Sequence, residues 1–294
     1  MSILELFVSV DEFWQQFEPL WQRELLARDS TRRQRATRLH PSEIMTLIIW
    51  FHQSGYRTFK AYYMQEVLAH LGGEFPHLVS YTRFVELMGR MAVPLTVYLS
   101  TQRGACTGIS FIDSTPLAVC HPARIHQHKV FADVAARGKT SVGWFYGFKL
   151  HVIVTDQGDL LAYALTPGNV HDTRPVAHLL RQTTRLFGLL IGDKGYISQP
   201  LSDQLAQQYD VRLLTRRRSN MRPVDLDPVD HLLLRKRAII ETIFDQLKNI
   251  SQIEHTRHRS AVNFVVNLVA GLIAYCHQPK KPALHLYGML PSVA

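Results

Sequence analysis

The chain has 294 residues, of which 46% are hydrophobic and 10% aromatic, enough to bury the core of one domain of moderate size and a smaller one. Its formal net charge of +9 favours a polyanionic partner such as a nucleic acid. The three cysteines lack CxxC spacing, which argues against a disulfide framework or a zinc knuckle. The sequence shows no signal peptide and no apolar run long enough to span a bilayer, and it therefore predicts a soluble cytoplasmic protein without a membrane partner.

Residues 1–105 have helical spacing throughout and predict an all-α N-terminal domain. Serine caps and glycine stops divide part of this region into three helices, at 42–51, at 59–71 and after Ser80. Short helices joined by tight turns are typical of a helix-turn-helix-like DNA-binding domain, with Arg83 near the start of the helix that would read the bases. The alternative is an ordinary three-helix bundle used for packing or dimerisation.

Two clusters of arginine strengthen the expectation of a DNA partner. The first lies in the N-terminal region and includes Arg32, Arg33 and Arg35. The second lies around the end of the last predicted strand and includes Arg216, Arg217 and Arg218. Clustered cations are expected to contact phosphates, although a solvated surface that keeps the protein soluble is the simpler interpretation. We predict that both clusters bind DNA.

From residue 106 the pattern changes to strands that alternate with helices. The predicted strands are 109–112, a hairpin of 144–155 and 160–165, then 189–191 and 211–214. The predicted helices are 171–186, one that begins near Pro200, one around Glu241 and a buried C-terminal helix at 262–276. This order predicts an α/β fold, a mixed sheet flanked by helices, over residues 106–278, and a tail at 279–294. The strands that precede Asp113 and Asp193 should be central, because their runs are apolar on both faces.

Three acids far apart in the sequence have the pattern of a phosphoryl-transfer site. Asp113 and Asp193 each follow an apolar run, and active groups gather at the carboxyl ends of strands in α/β sheets. On a regular helix, Glu241 would lie within about 40° of Arg237 and Lys248. Three carboxylates suffice to hold two Mg²⁺ ions, which can drive an in-line displacement at phosphorus.

Each of these residues also has a simpler interpretation. An Asp after a strand is often a turn residue or a helix cap, and Arg237 and Lys248 could be salt-bridge partners within a helix. Because the two Asp residues occur together with the basic and acidic helix, we favour catalytic acids, with Arg237, Lys248 and Lys194 as contacts to the DNA phosphates.

Four segments resemble those of bacterial insertion-sequence transposases of the DDE superfamily, and among these the insertion-sequence family 982. They are Phe111-Ile-Asp113-Ser-Thr-Pro, Thr166-Pro-Gly-Asn-Val-His-Asp172, Gly192-Asp193-Lys-Gly-Tyr196 and Arg237-x3-Glu241-x6-Lys248. The resemblance implies an RNase H-like catalytic domain in which Asp113, Asp193 and Glu241 are catalytic and bind two Mg²⁺ or Mn²⁺ ions. It also implies that double-stranded DNA is the partner, at the terminal inverted repeats of a mobile element and at its target.

The resemblance further implies an activity, which is excision and integration of the element by two-metal-ion hydrolysis and strand transfer. A homodimer or a larger synaptic complex is expected, since two DNA ends are joined together. Two other functions remain open: a nuclease of the same fold that never joins strands, and a non-catalytic DNA-binding protein descended from a transposase.

Three positions refine these expectations. Leu234 stands where such relatives have a tyrosine three positions before the arginine, which disfavours excision through a DNA hairpin. Glu241 follows Asp193 by 48 residues, too few for a large inserted domain. We interpret Asp172 as a structural residue of its loop rather than a metal ligand.

Overall fold

The computed structural model describes residues 1–27, 37–221, 225–254 and 258–284. These divide into two compact units, a helical unit formed by the described residues within 1–102 and 246–279 and a sheet unit formed by the described residues within 103–245 and 280–284. The division differs from the one expected from the sequence, because residues 246–279 belong to the helical unit. The predicted DNA contacts Arg32, Arg33 and Arg35 lie outside the described residues.

Serine caps and apolar faces explain the main helices of the helical unit. The side chains of Ser80 and Ser260 accept hydrogen bonds from backbone N–H groups in the first turns of α5 and α11. Helix α11 is buried over most of its length, which confirms the predicted buried C-terminal helix. None of the described helices is both long and apolar enough to cross a membrane. The helices are α1 Ile3–Ala27, α2 Pro41–Phe51, α3 Phe59–Tyr62, α4 Leu68–His70, α5 Tyr81–Met88, α6 Ala92–Thr101 and α11 Ala261–Cys276.

The sheet unit contains a six-stranded mixed sheet in the order β2-β3-β1-β5-β6, and β4 also pairs with β3. Strands β1 and β5 are central, as their apolar runs predicted. Helices flank the sheet, so the predicted α/β fold, a mixed sheet flanked by helices with an all-helical N-terminal part, is confirmed. The strands are β1 Ile109–Cys120, β2 Ala136–Lys139, β3 Trp144–Thr155, β4 Leu160–Pro167, β5 Gly188–Gly192 and β6 Val211–Thr215. The helices are α7 Val176–Gln182, α8 Gln199–Tyr209, α9 Pro228–Lys236 and α10 Ala238–Asp245.

Strand β1 is longer than the sequence suggested. It pairs antiparallel with β3 from Ser110 to Cys120, whereas its parallel pairing with β5 ends where Phe111 meets Ile191. Asp113 therefore lies within β1, and the expectation that it ends a strand was wrong. The residues after Asp113 remain in the sheet because β3 supplies backbone partners for them.

Helix α7 is shorter than the predicted helix at 171–186. Pro175 stands at its N-cap, and the residue before a proline is disfavoured in the helical region of backbone space. At the other end, Thr183 has an extended backbone, which stops the helix. Residues 171–174, including Asp172, are consequently free to form a turn next to the sheet.

Gly147 in β3 allows a close approach that a side chain would prevent. Its φ is +156°, and a Cβ there would overlap the carbonyl oxygen of Leu117 in β1. Gly143 in the turn before β3 has a similar φ of +152°, but no described heavy atom lies within 4 Å of where its Cβ would be. The two glycines thus share the backbone requirement and differ in the space around them.

We expect Gly147→Ala to destabilise the protein by about 3 kcal/mol or more, because steric overlap with Leu117 adds to backbone strain. Gly143→Ala is the matched control and should cost about 1 to 2 kcal/mol from the backbone alone. Thermal unfolding of both variants measures the difference. Equal melting temperatures would show that β1 and β3 do not approach each other closely at Gly147.

Candidate active site

Asp113 in β1 and Asp193, directly after β5, lie at the same end of the parallel pairing of these two strands. Phe111 and Ile191 are the last parallel partners of β1 and β5, and each acid stands two residues further along the chain. Because neighbouring strands are about 4.8 Å apart, the register brings the two backbones side by side. The Ser114 N–H donates to Asp113 Oδ1 at 2.7 Å, and the Gly195 N–H donates to Asp193 Oδ1 at 2.7 Å. Both side chains are thus held by adjacent backbone.

The Asp113 carboxyl has a perturbed acidity. Burial raises the pKa of Asp113 to about 6, and the negative charge of Asp193 also acts to raise it. The Ser114 N–H and the Arg237 guanidinium act in the opposite direction and lower this pKa. Only 17% of the Asp113 side chain is exposed. A carboxyl with a raised pKa beside a second carboxyl is typical of a functional site.

Arg237 joins the β1 acid to the helical acid. It lies at the break between α9 and α10, its Nη1 donates to Asp113 Oδ2 at 2.6 Å, and its Nη2 donates to Glu241 Oε1 at 2.8 Å. The Arg237 side chain is 16% exposed and the Glu241 side chain 62% exposed. The i,i+4 spacing had offered the bond between Arg237 and Glu241 only as the simpler alternative to a phosphate contact, and the bond to Asp113 was not foreseen.

Lys248 does not follow the regular helix that the sequence predicted. Helix α10 ends at Asp245, and a π-helical turn, Gln246–Ile250, contains Lys248. A π turn has a different angle per residue from the regular helix that the prediction assumed, so the common face of Lys248 with Arg237 and Glu241 stays a prediction. Lys248 belongs to the helical unit, where its Nζ lies 2.9 Å from Glu254 Oε2.

Asp172 is a residue that the sequence analysis set aside and that the structure brings next to the acids. Its Oδ1 accepts from Ser114 Oγ at 2.8 Å and from Lys149 Nζ at 3.0 Å. His151 Nδ1 lies 3.9 Å from the same oxygen, and burial lowers the pKa of His151 to about 4, so the imidazole is neutral. Asp172 thereby connects the turn before α7 to β1 at the residue after Asp113. Its presence in the Thr-Pro-Gly-Asn-Val-His-Asp segment was the signal that could have identified it.

The Asp193 and Asp172 carboxylates also approach each other. Asp193 Oδ1 and Asp172 Oδ2 lie 2.9 and 3.2 Å from the point where a Cβ on Gly195 would be. A glycine at this position therefore leaves room for both carboxylates. Burial, and then the charges of Asp113, Asp172 and Asp193, raise the pKa of Tyr196 well above its usual range. The Tyr196 hydroxyl is buried and has no hydrogen-bond partner among the described residues.

The donor set suits a hard divalent cation, since its members are carboxylate oxygens and a buried hydroxyl without a partner lies among them. In the part of the chain that the structure describes, however, no three His, Cys, Asp or Glu side chains stand close enough to share one ion. The Arg237 guanidinium supplies positive charge to two of the carboxylates. Arg237 thus holds two of the predicted metal ligands in the present arrangement.

A basic cavity of about 430 Å³ is lined in part by Lys194, the residue that follows Asp193 in the chain. Its lining includes three of the predicted DNA contacts, and it also includes Leu234. Its lining consists of Lys194, Arg216, Arg217, Leu226, His231, Leu234 and Arg235. Arg216 Nη2 donates to the backbone oxygen of Leu234 at 3.2 Å, which fixes one wall. Arg218 is exposed but does not line the cavity.

Arg83, the remaining predicted contact, lies in the first turn of α5 in the helical unit. Its Nη1 donates to Glu86 at 2.7 Å, and both side chains are exposed. An exposed pair of this kind contributes about 0 to 1 kcal/mol. Arg83 could therefore exchange this partner for a phosphate at small cost.

We expect Asp172→Ala to lower the free energy of unfolding by about 1 to 3 kcal/mol, because Lys149 and Ser114 lose a charged acceptor. Asp172→Asn keeps one acceptor oxygen and should lose less. Urea denaturation measures both, with Asp203→Ala on the exposed side of α8 as control. An Asp172→Ala variant as stable as the control would show that the network does not support the fold.

Comparison with known proteins identifies the family. A family model described as a transposase DDE domain matches residues 103–261, more than half of the chain. No curated protein matches the sequence. Among solved structures, the chain is similar to a piggyBac transposase in a synaptic complex with hairpin DNA, with a TM-score of 0.48 and 10% identity, over 85% of this chain and 69% of that one. On the family match, the chain belongs to the DDE transposase domain family.

Proposed function

We propose that the chain is a DNA transposase of insertion-sequence family 982 that excises its element and joins the ends to target DNA. Asp113, Asp193 and Glu241 are the catalytic acids in this proposal. The observation that supports it most is the register of β1 against β5, together with the two bonds of Arg237 to Asp113 and Glu241. Both features bring acids that are far apart in the sequence toward one edge of the sheet.

The three acids would hold Mg²⁺ or Mn²⁺ through their carboxylate oxygens. When bound, such ions activate the attacking oxygen and stabilise the leaving oxygen of an in-line displacement. The chain itself contributes orientation: the Ser114 and Gly195 N–H groups hold Asp113 and Asp193, and the Asp172 network holds Ser114. The first reaction would use water at the element end, and the second would use the resulting 3′-hydroxyl on the target.

Arg237 has two partners in succession in this proposal. In the present arrangement its guanidinium neutralises Asp113 and Glu241. If Asp113 and Glu241 held Mg²⁺ or Mn²⁺ instead, the Arg237 guanidinium would be available for a phosphate of the DNA, which suits a bidentate cation. The cavity lined by Lys194, Arg216 and Arg217 would follow the adjoining backbone. Lys248, Arg218, Arg83 and the N-terminal arginines remain proposed DNA contacts on the sequence alone.

A dimer or larger complex on two DNA ends completes the proposal. The element's terminal inverted repeats and the target would both be double-stranded DNA. With Leu234 in place of a tyrosine, we propose excision without a DNA hairpin.

We expect Asp113→Asn to slow cleavage of DNA that carries the element ends by about a thousandfold or more, because several kcal/mol of metal-dependent stabilisation are lost. Binding of the same DNA should change by less than about threefold, since the cations that contact phosphates remain. Asp203→Asn, an exposed acid on α8, is the matched control.

The same assay, extended to joining of 3′ ends to a target plasmid, separates the three candidate functions. Cleavage with joining supports the transposase, and cleavage without joining indicates a nuclease. Binding without cleavage in the wild type indicates a non-catalytic DNA-binding protein. Unchanged cleavage by Asp113→Asn would remove this residue from the site.

We expect Arg237→Gln to bind Mn²⁺ about tenfold more tightly than the wild type in the absence of DNA, because a competing positive charge is removed from Asp113 and Glu241. The same variant should cleave DNA more slowly, because the cation that would hold the phosphate is lost. Lys236→Gln makes the same charge change at the neighbouring exposed residue and should leave Mn²⁺ binding within about twofold. Calorimetric titration with Mn²⁺ measures the affinities, and equal values for both variants would contradict the exchange of partners.

A further inference from the structure

The hairpin between β2 and β3 ends in a short, ordered turn. Lys139 pairs with Trp144 as the last residues of the two strands. The Thr140 N–H donates to the Gly143 backbone oxygen at 2.9 Å, and the Val142 N–H donates to Thr140 Oγ1 at 3.3 Å. Residues 139–144, the hairpin tip, are therefore held by their own hydrogen bonds.

The hairpin tip exposes large apolar side chains that a soluble domain normally buries. Trp144 is 63% exposed and Val142 is 97% exposed. Among the described residues of the sheet unit, every exposed large apolar side chain except Phe187 lies between residues 130 and 144. Phe145 and Tyr146, which follow directly in β3, are buried and anchor the base of the hairpin. A concentrated exposed apolar surface on a firm base is typical of an interaction site.

The charge around the hairpin tip indicates the kind of partner. Residues 120–144 contain four arginine and lysine residues and a single acid, Asp133. Lys139 Nζ lies 5.6 Å from the centroid of the Trp144 ring. Arg137 and Lys139 are exposed along β2. An aromatic ring accompanied by cations matches DNA, whose phosphates are anionic and whose bases present flat apolar faces.

We propose that the hairpin tip is a DNA contact separate from the catalytic acids. Trp144 packs on a base face that the DNA exposes at a kinked step or an unpaired position, and Lys139 and Arg137 contact the flanking phosphates. The inference rests on the proposed transposase function and adds to it a second point at which the substrate is held. A surface that contacts phosphates alone would not explain the exposed tryptophan, and a surface for an apolar protein partner would not explain the exposed cations.

The sheet register gives the distance between the hairpin tip and Asp113. Val152 is the partner of Asp113 in β1, and Trp144 lies eight residues before it in β3. At about 3.3 Å per residue, the tip lies about 25 Å from Asp113 along the strand. With 3.4 Å per base pair, Trp144 would meet the DNA about seven base pairs from the phosphate that is cut.

The test compares DNA binding by the wild type, Trp144→Ala and Trp144→Phe, measured by fluorescence anisotropy with labelled duplexes. One duplex is fully paired, and the other has two unpaired bases seven positions from its end. Trp144→Ala should weaken binding about tenfold, most strongly for the unpaired probe, because one stacked base contact is lost. Trp144→Phe retains a ring and should lose much less. Phe187→Ala, which truncates the aromatic ring beneath Arg185 in the same unit, is the matched control and should bind as the wild type does.

Two further measurements define the outcome. Lys139→Ala should reduce the slope of log affinity against log salt by about one, as expected for one phosphate contact. Photocrosslinking from 5-iodouracil placed along the duplex should reach Trp144 from about the seventh position and not from the end.

The proposal is overturned if wild type and Trp144→Ala bind both probes equally, a result that leaves the transposase function intact. It is also overturned if Trp144→Ala changes only the sedimentation of the protein, which would identify the tip as a contact between copies of the chain. If the wild type binds no DNA, the transposase function fails together with the tip. Thermal unfolding of each variant shows whether a loss of binding reflects a loss of fold.

Discussion

The pairing of β1 with two different neighbours is the constraint on which the rest of the site depends. The strand is parallel to β5 only as far as Phe111 and antiparallel to β3 from Ser110 to Cys120. Because side chains alternate between faces, a slip of one residue against either neighbour would turn Asp113 to the opposite side of the sheet. The same antiparallel pairing carries the hairpin tip at a fixed distance from Asp113. One register thus determines where the acids meet and where the exposed tryptophan stands.

The site concentrates acidic groups, and the chain balances them with its own cations. Arg237 bridges Asp113 and Glu241, and Lys149 holds Asp172. Burial nevertheless raises the pKa of Asp113, so its charge is costly to maintain within the protein. A set of carboxylates that internal cations only partly compensate is suited to attract divalent ions. In the proposed function, fold stability and catalysis favour different partners for the same acids, as is common at functional sites.

Several parts of this arrangement follow from the sequence. Apolar runs on both faces predicted the central strands, and i,i+4 spacing allowed the bond between Arg237 and Glu241 as the simpler alternative to a phosphate contact. Three features did not follow, each for a physical reason. The continuation of β1 past Asp113 depends on a partner strand that is distant in the sequence. The π turn that contains Lys248 interrupts a sequence pattern that predicts a regular helix. The position of Asp172 depends on tertiary hydrogen bonds. The strand pairing and the Asp172 hydrogen bonds join residues distant in the sequence, and hydrophobic periodicity along the chain does not report such contacts.

The central claim is that Asp113, Asp193 and Glu241 act together on metal ions, and anomalous diffraction from crystals of the protein with DNA and Mn²⁺ tests it most directly. The account predicts manganese peaks within about 2.5 Å of oxygens of Asp113 and Asp193, with Glu241 beside them and the Arg237 guanidinium moved from Asp113 to a phosphate. Manganese bound only elsewhere, with Arg237 still between Asp113 and Glu241, would contradict it.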